Sequence, residues 1–178
     1  MKERTLITGF GPFGDIKENP AAILAEASGR PFAVIEVAYL AADDFLSKLD
    51  LGSFDRLLML GVAAGRDHLS IELFARNWKG DAKDVREEGA EGLIEAGAPL
   101  LLEGTLWTAE NASQIVAFDP RVRISMDAGS YLCNYIYFRA LQHISGKRVG
   151  FLHVASQEKM SIEIQMLSLQ KILEVIEA

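Results

Sequence analysis

The stretch Thr5-Leu6-Ile7-Thr8-Gly9-Phe10-Gly11-Pro12-Phe13-Gly14, closed by Asn19-Pro20, sets the architecture. Thr5 to Thr8 is short, apolar and β-branched and runs into glycines, the pattern of a buried strand opening into a loop. Asn19 offers a side-chain acceptor to a helix's first free amides, and Pro20, with no N–H of its own, suits the first helical position. Strand, glycine-rich loop and helix together open an α/β unit, and the alternation continues outward. The sequence predicts a helix from Pro20 to Ser28 stopped at Gly29, a strand over 32–40, a helix over 42–51 and a buried strand over 57–61. Leu69, Ile71, Leu73 and Ala75 then alternate with Ser70, Glu72, Phe74 and Arg76, which predicts one strand with Glu72 on the face away from the leucines. Residues 78–104, charged and Gly-rich, predict an irregular surface excursion with one hairpin. A helix over 111–118, a strand over 122–125, a helix over 129–144, a strand over 148–154 and a helix over 161–177 capped by Ser161 complete the pattern. The expectation is a single α/β domain spanning 1–178, three layers deep, with a mainly parallel, twisted central sheet.

The composition fits that reading. Of 178 residues, 49% are hydrophobic and 24% charged, enough apolar material for a core, which excludes intrinsic disorder. Lys and Arg number 18 against 25 Asp and Glu, a net charge of −7, so a broad basic footprint for nucleic acid or an anionic membrane surface is excluded. No run approaches the roughly 20 apolar residues that span a bilayer. The start, Met1-Lys2-Glu3-Arg4, leads into no signal-peptide apolar region. A single cysteine, Cys133, removes any disulfide framework or cysteine-rich metal site and points to a reducing, cytoplasmic compartment.

Four features carry candidate chemistry. The loop from Gly9 to Gly14 formally matches the dinucleotide fingerprint G-x-G-x-x-G. Against that reading, Pro12 places a residue without an N–H where donors should face a pyrophosphate, and the helix begins only at Asn19-Pro20. A structural turn accounts for the glycines but not for Phe10 and Phe13, which lie where open α/β sheets bind ligands and are placed to wall an apolar slot. Cys133, in Asp127-Ala128-Gly129-Ser130-Tyr131-Leu132-Cys133-Asn134, taken alone reads as a small buried hydrophobe. Its place in the first turn of a helix argues for an activated thiol, because free amides there favour an anion. His153 ends an apolar strand at the sheet edge that presents active-site loops, whereas His68 and His143 are expected to face solvent. Glu72, inside a sheet covered on both faces, needs a partner.

Taken in order, these segments resemble the pyroglutamyl peptidase I (pyrrolidone-carboxylate peptidase) family of cysteine peptidases. The resemblance is carried by Thr8–Gly14 with Asn19-Pro20, by Gly61-Val62-Ala63-Ala64-Gly65-Arg66 with Ile71-Glu72 and Asn77, by Ser125–Asn134, and by Phe151-Leu152-His153-Val154. It implies Cys133 as nucleophile, His153 as general base and acid, and Glu72 as the group that orients the imidazole. It makes Phe10 and Phe13 walls for a pyroglutamyl ring, with Asn19 nearby. It also implies a peptide with N-terminal pyroglutamate as substrate, no metal or cofactor, and a homo-oligomer, often a tetramer. In the segment after Asn77 the family carries an Arg tied to the oxyanion region, for which Lys83 is the nearest counterpart. The drift of 78–102 motivates two alternatives: a same-fold hydrolase of another small cyclic amide or acyl substrate, or a catalytically silent binding protein.

Overall fold

A computed structural model describes residues 4–178; the expectation drawn from Met1-Lys2-Glu3 lies outside them. The elements in order are β1 (Thr5–Phe10), α1 (Pro20–Ala27), β2 (Phe32–Ile35), α2 (Tyr39–Ser47), β3 (Arg56–Val62), β4 (Leu69–Glu72), β5 (Phe74–Arg76), β6 (Leu101–Glu103), α3 (Ala109–Phe118), β7 (Val122–Ser125), α4 (Leu132–His143), β8 (Arg148–Val154) and α5 (Ile162–Ile176). Six strands form one sheet in the order β2-β1-β3-β8-β4-β7. The first four run parallel, while β4 is antiparallel to β8 and parallel to β7. A mainly parallel sheet with helices on both faces is thus borne out. Among the described residues no helix is long and apolar enough to cross a membrane.

The central strands β3 and β8 are buried almost throughout, because both of their faces are covered. Their side chains alternate between two cores. Leu58, Leu60, Leu152 and Val154 point into a layer with Leu24 of α1, Ile115 of α3, and Leu169 and Ile172 of α5. Leu57, Met59, Val149 and Phe151 point into the other layer, with Ala42 of α2 and Ile136, Tyr137 and Phe138 of α4. The second layer is the one that holds the candidate site.

Three of the boundaries that depart from the sequence reading bear on the site. The strand expected over 32–40 stops at Ile35 and α2 begins already at Tyr39, because its first amide is capped from afar. Ala38, at the cap position, has no side-chain acceptor, and Asp84 Oδ2 accepts from Tyr39 N at 2.8 Å instead. The strand expected over 69–76 breaks at Leu73. Its amide donates to the Ser125 carbonyl (2.9 Å) in the main sheet, and its carbonyl accepts from Gly104 N (2.8 Å), where β5 leaves to pair with β6. The expected hairpin within 78–104 is therefore a long β5–β6 connection. Asn77 ties that connection together through Glu95 N (2.8 Å) and the Glu95 and Ala98 carbonyls (2.8 and 3.3 Å). Finally, α4 begins at Leu132 rather than Gly129, since Gly129 has a φ of 86° and Tyr131 is extended.

The buried carboxylate of Asp119 fastens α3 and β7 to α5. It accepts from Arg121 Nε (2.7 Å), Arg121 Nη2 (2.8 Å) and Ser168 Oγ (2.9 Å). The Arg121 hydrogen bond is the main cause of its pKa falling well below the usual carboxylate range. Asp119→Ala is expected to lower unfolding stability by about 2–4 kcal/mol, by stranding the Ser168 hydroxyl and unpairing Arg121. A urea titration at pH 7 measures this. The deficit should shrink as pH falls below the unfolded carboxylate range, because a depressed carboxylate stabilises only above it. A shift below about 0.5 kcal/mol would mean that the network contributes nothing.

Candidate active site

The thiol-bearing helix is positioned by side chains that leave no slack. Asn134, fully buried, accepts from Arg76 N (2.7 Å) and donates to the carbonyls of Arg76 and Trp78 (both 2.9 Å), so α4 is clamped to β5 at its first turn. Gly80 N donates to the Ser130 carbonyl at 2.7 Å, and Tyr131 Oη donates to the Lys83 carbonyl at 2.9 Å, which docks the long loop on the helix start. Because α4 begins at Leu132, Cys133 is its second residue. The amides of Leu132, Cys133 and Asn134 precede the first intrahelical bond, from Tyr135 N to the Tyr131 carbonyl (3.0 Å). The positive end of the helix dipole thus surrounds the sulfur.

The sheet supplies the other two groups. His153 lies on β8 beside Gly61 of β3 and Ser70 of β4 in register, and Glu72 is the diagonal neighbour, opposite Phe151. Side chains two apart share a face, so Phe151, His153, Ser70 and Glu72 all face α4. Glu72 does lie away from Leu69 and Ile71, as the alternation indicates, and it is completely buried. Its Oε1 is 2.7 Å from His153 Nδ1. With Nδ1 engaged there, the far ring nitrogen, Nε2, is left to meet the thiol. The Phe151 ring backs the imidazole at 4.9 Å between centroids.

Gly61 makes room for the sulfur. A Cβ at this position would lie 2.5 Å from Cys133 Sγ and 2.7 Å from Phe151 Cζ, so only a glycine lets the thiol rest over the sheet next to His153. The imidazole is buried, which pulls its pKa down. The charge and hydrogen bond of Cys133, then the hydrogen bond and charge of Glu72, outweigh burial and raise it from 6.5 to about 9. Sulfur, imidazole and carboxylate, far apart in sequence, therefore form one interacting line.

The remaining expected residues fall around this line. Phe10, the last residue of β1 and 5% exposed, belongs to the apolar cluster against which Cys133 packs. Phe13, half-buried on the loop, packs on the same cluster. Asn19 is buried and spends its amide locally, with Oδ1 accepting from Ala21 N (3.0 Å) and Nδ2 donating to the Gly11 carbonyl (2.9 Å). It caps α1 and pins the Phe10–Phe13 loop. His68, half-buried, pairs with Asp67, while His143 at the end of α4 is exposed. The Lys83 side chain does not reach the turn before Cys133; its ammonium donates to the Gly89 carbonyl at 2.9 Å. Two arginines that the sequence reading gave no role do reach it. Arg66 bonds Glu72 Oε1 (2.6 Å) and the Asp127 carbonyl (3.0 Å), and Arg76 bonds Asp127 Oδ1 (2.6 Å) and the Gly129 carbonyl (3.0 Å). The only sequence signal for Arg66 is its place in the Gly61–Arg66 block. Among the described residues no group of three or more His, Cys, Asp or Glu is placed to hold a metal ion.

A thiol held at a helix start and joined through an imidazole to a buried carboxylate can attack a carbonyl and form a thioester, the chemistry of hydrolases that work through cysteine. Comparison with known proteins narrows the class. The family model for pyroglutamyl peptidase matches residues 3–178. A pyrrolidone-carboxylate peptidase of Pyrococcus furiosus is 32% identical over 170 residues, covering 85% of this chain and 80% of the relative. One from Bacillus cytotoxicus is 26% identical over 202 residues, covering 96% and 91%. The crystal structure of pyrrolidone carboxyl peptidase from Thermus thermophilus superposes with a TM-score of 0.83 at 28% identity, covering 96% of this chain and 98% of that one. The chain belongs to the pyroglutamyl peptidase family, a family of cysteine peptidases.

Proposed function

We propose that this protein removes an N-terminal pyroglutamyl residue from peptides, with Cys133 as nucleophile, His153 as general base and acid, and Glu72 as the group that fixes the imidazole. The observation that carries the reading is the 2.7 Å bond between His153 Nδ1 and a fully buried Glu72, on a ring whose register partner, Gly61, lies under the Cys133 sulfur. The Cys133 proton passes to His153, and the thiolate attacks the carbonyl joining pyroglutamate to the next residue. The free amides at the start of α4 stabilise the tetrahedral oxyanion, an effect worth about 3–4 kcal/mol in comparable sites. His153 then protonates the departing amine, and water, deprotonated by the same ring, hydrolyses the thioester. Phe10 and Phe13 supply an apolar slot for the uncharged lactam. A free amino terminus would be desolvated there without a partner, so ordinary peptides are disfavoured. Asn19 acts indirectly, by holding the loop that carries both rings. We place the enzyme in the cytoplasm as a homo-oligomer, on the family resemblance and on the free thiol.

The test is turnover of a pyroglutamyl fluorogenic amide, together with protection of Cys133 from iodoacetamide by 2-pyrrolidone. Turnover and protection are expected. Turnover of other small amides but not of this one would favour the divergent hydrolase; no turnover of any amide and no protection would favour the binding protein.

A further inference from the structure

Glu72 sits where no water competes, and a lone carboxylate in such a place costs several kcal/mol unless it is paired. Its Oε1 receives two donors, His153 Nδ1 at 2.7 Å and Arg66 Nη1 at 2.6 Å. The second nitrogen of the same guanidinium, Nη2, donates to the Asp127 carbonyl at 3.0 Å. Asp127 lies in the turn that delivers α4, where its Oδ1 accepts from Gly129 N at 2.8 Å. Arg66 itself comes from the tight turn after β3, with its amide bonded to the Ala63 carbonyl at 2.9 Å, and its side chain keeps 29% of its exposure.

We propose that Arg66 is a positioning residue that holds the Glu72 carboxylate and the turn preceding Cys133 in one fixed relation. This rests on the reading that Cys133 and His153 carry the chemistry. An imidazole bond alone leaves a glutamate free to swing about its last torsion. A second donor on the same oxygen, anchored to a planar group, removes that freedom. The other prong of the fork reaches the backbone on which the thiol-bearing helix is mounted, so one side chain aligns both halves of the site. A lysine offers a charge but no fork, and it cannot meet the carboxylate and the carbonyl in these directions at once. Misplacement by about 1 Å is enough to lower a rate roughly 100-fold.

The experiment compares wild type with Arg66→Met and Arg66→Lys by two readouts at pH 7. The first is kcat and KM on a pyroglutamyl fluorogenic amide. The second is the rate of alkylation by iodoacetamide, which reports Cys133 without reference to any substrate because it is the chain's single cysteine. Arg66→Met is expected to lower kcat by about 100-fold with KM nearly unchanged, and to slow alkylation. Arg66→Lys should recover little of either. In Arg66→Ala, millimolar methylguanidinium should restore part of the kcat, because the Arg66 side chain is open to solvent at 29% exposure. Melting temperature is followed throughout, and Arg66→Lys, which keeps the charge beside Glu72, carries the comparison if the Met variant does not fold. Wild-type kcat and alkylation in both variants would overturn the proposal. So would a loss that tracks melting temperature and ignores methylguanidinium. If wild type fails to cleave the reporter while the variants still alkylate slowly, the pyroglutamyl reading falls and the role of Arg66 stands.

Discussion

Cys133→Ala is expected to give a folded protein whose turnover of a pyroglutamyl amide is lower by about 10⁴-fold or more, as when the nucleophile of a cooperating triad is removed. Retained turnover would end the assignment of Cys133. The same variant makes a second statement, about His153. In the wild-type protein burial lowers the imidazole's pKa, and Cys133 is the largest influence raising it, so that it reaches about 9. A group whose pKa is raised on folding stabilises the native state fully below its unfolded value of 6.5, and that stabilisation is lost as pH climbs through 9. Wild-type stability should therefore fall across that window. Removing the sulfur leaves burial opposed by Glu72 alone. The alanine variant's imidazole should titrate at lower pH, and its stability should decline less between pH 6.5 and 9. NMR titration of the ring and urea midpoints across that range measure both. An imidazole still titrating near 9 without the sulfur would mean that the thiol and ring do not interact.

Gly61→Ala should be nearly as damaging although it adds a single methyl group. The new Cβ would fall 2.5 Å from Cys133 Sγ and 2.7 Å from Phe151 Cζ, and both are held in place. The sulfur rides on a helix clamped by Asn134, and the Phe151 ring is fully buried against the His153 ring. Relief requires the helix to lift or Phe151 to tilt, and either movement pulls sulfur and imidazole apart. A kcat loss of about 100–1,000-fold is expected, with a stability cost of about 1–3 kcal/mol for the overpacking. Steady-state kinetics and iodoacetamide labelling read the first effect, and a denaturant midpoint the second. A variant within threefold of wild-type kcat would show that the sulfur's seat over the sheet is not required.

The parts of this molecule that were legible in sequence are those whose signals are local. Asn19-Pro20 starts α1, and Gly29, at φ 73°, follows its end; the apolar run Val149–Val154 is a fully buried strand, and Ser161 caps α5. Cys133, His153 and Glu72 could each be picked out by residue type and place in an element. Their meeting depends on strand order, which no local pattern encodes. The misplaced boundaries share one cause. Tyr39 is started by a carboxylate 45 residues away, β4 ends where Leu73 divides its hydrogen bonds between two sheets, and α4 is delayed by the conformation of Gly129 and Tyr131. The bonds of Arg66 show the same limit: its partners lie 6 and 61 residues off, and only the folded turn brings them to one guanidinium.

The remote cap on α2 also ties that helix to the candidate site. Ala38 gives that helix no side-chain acceptor at its start, so the acceptor comes from outside the helix. Asp84 supplies it, and the same carboxylate is held in the 84–88 turn by Arg86 N and Glu88 N. That turn belongs to the same loop that leans on Ser130 and Tyr131 at the mouth of the thiol helix. One segment thus completes a helix on one side and braces the start of the Cys133 helix on the other, so a disturbance at Asp84 reaches both.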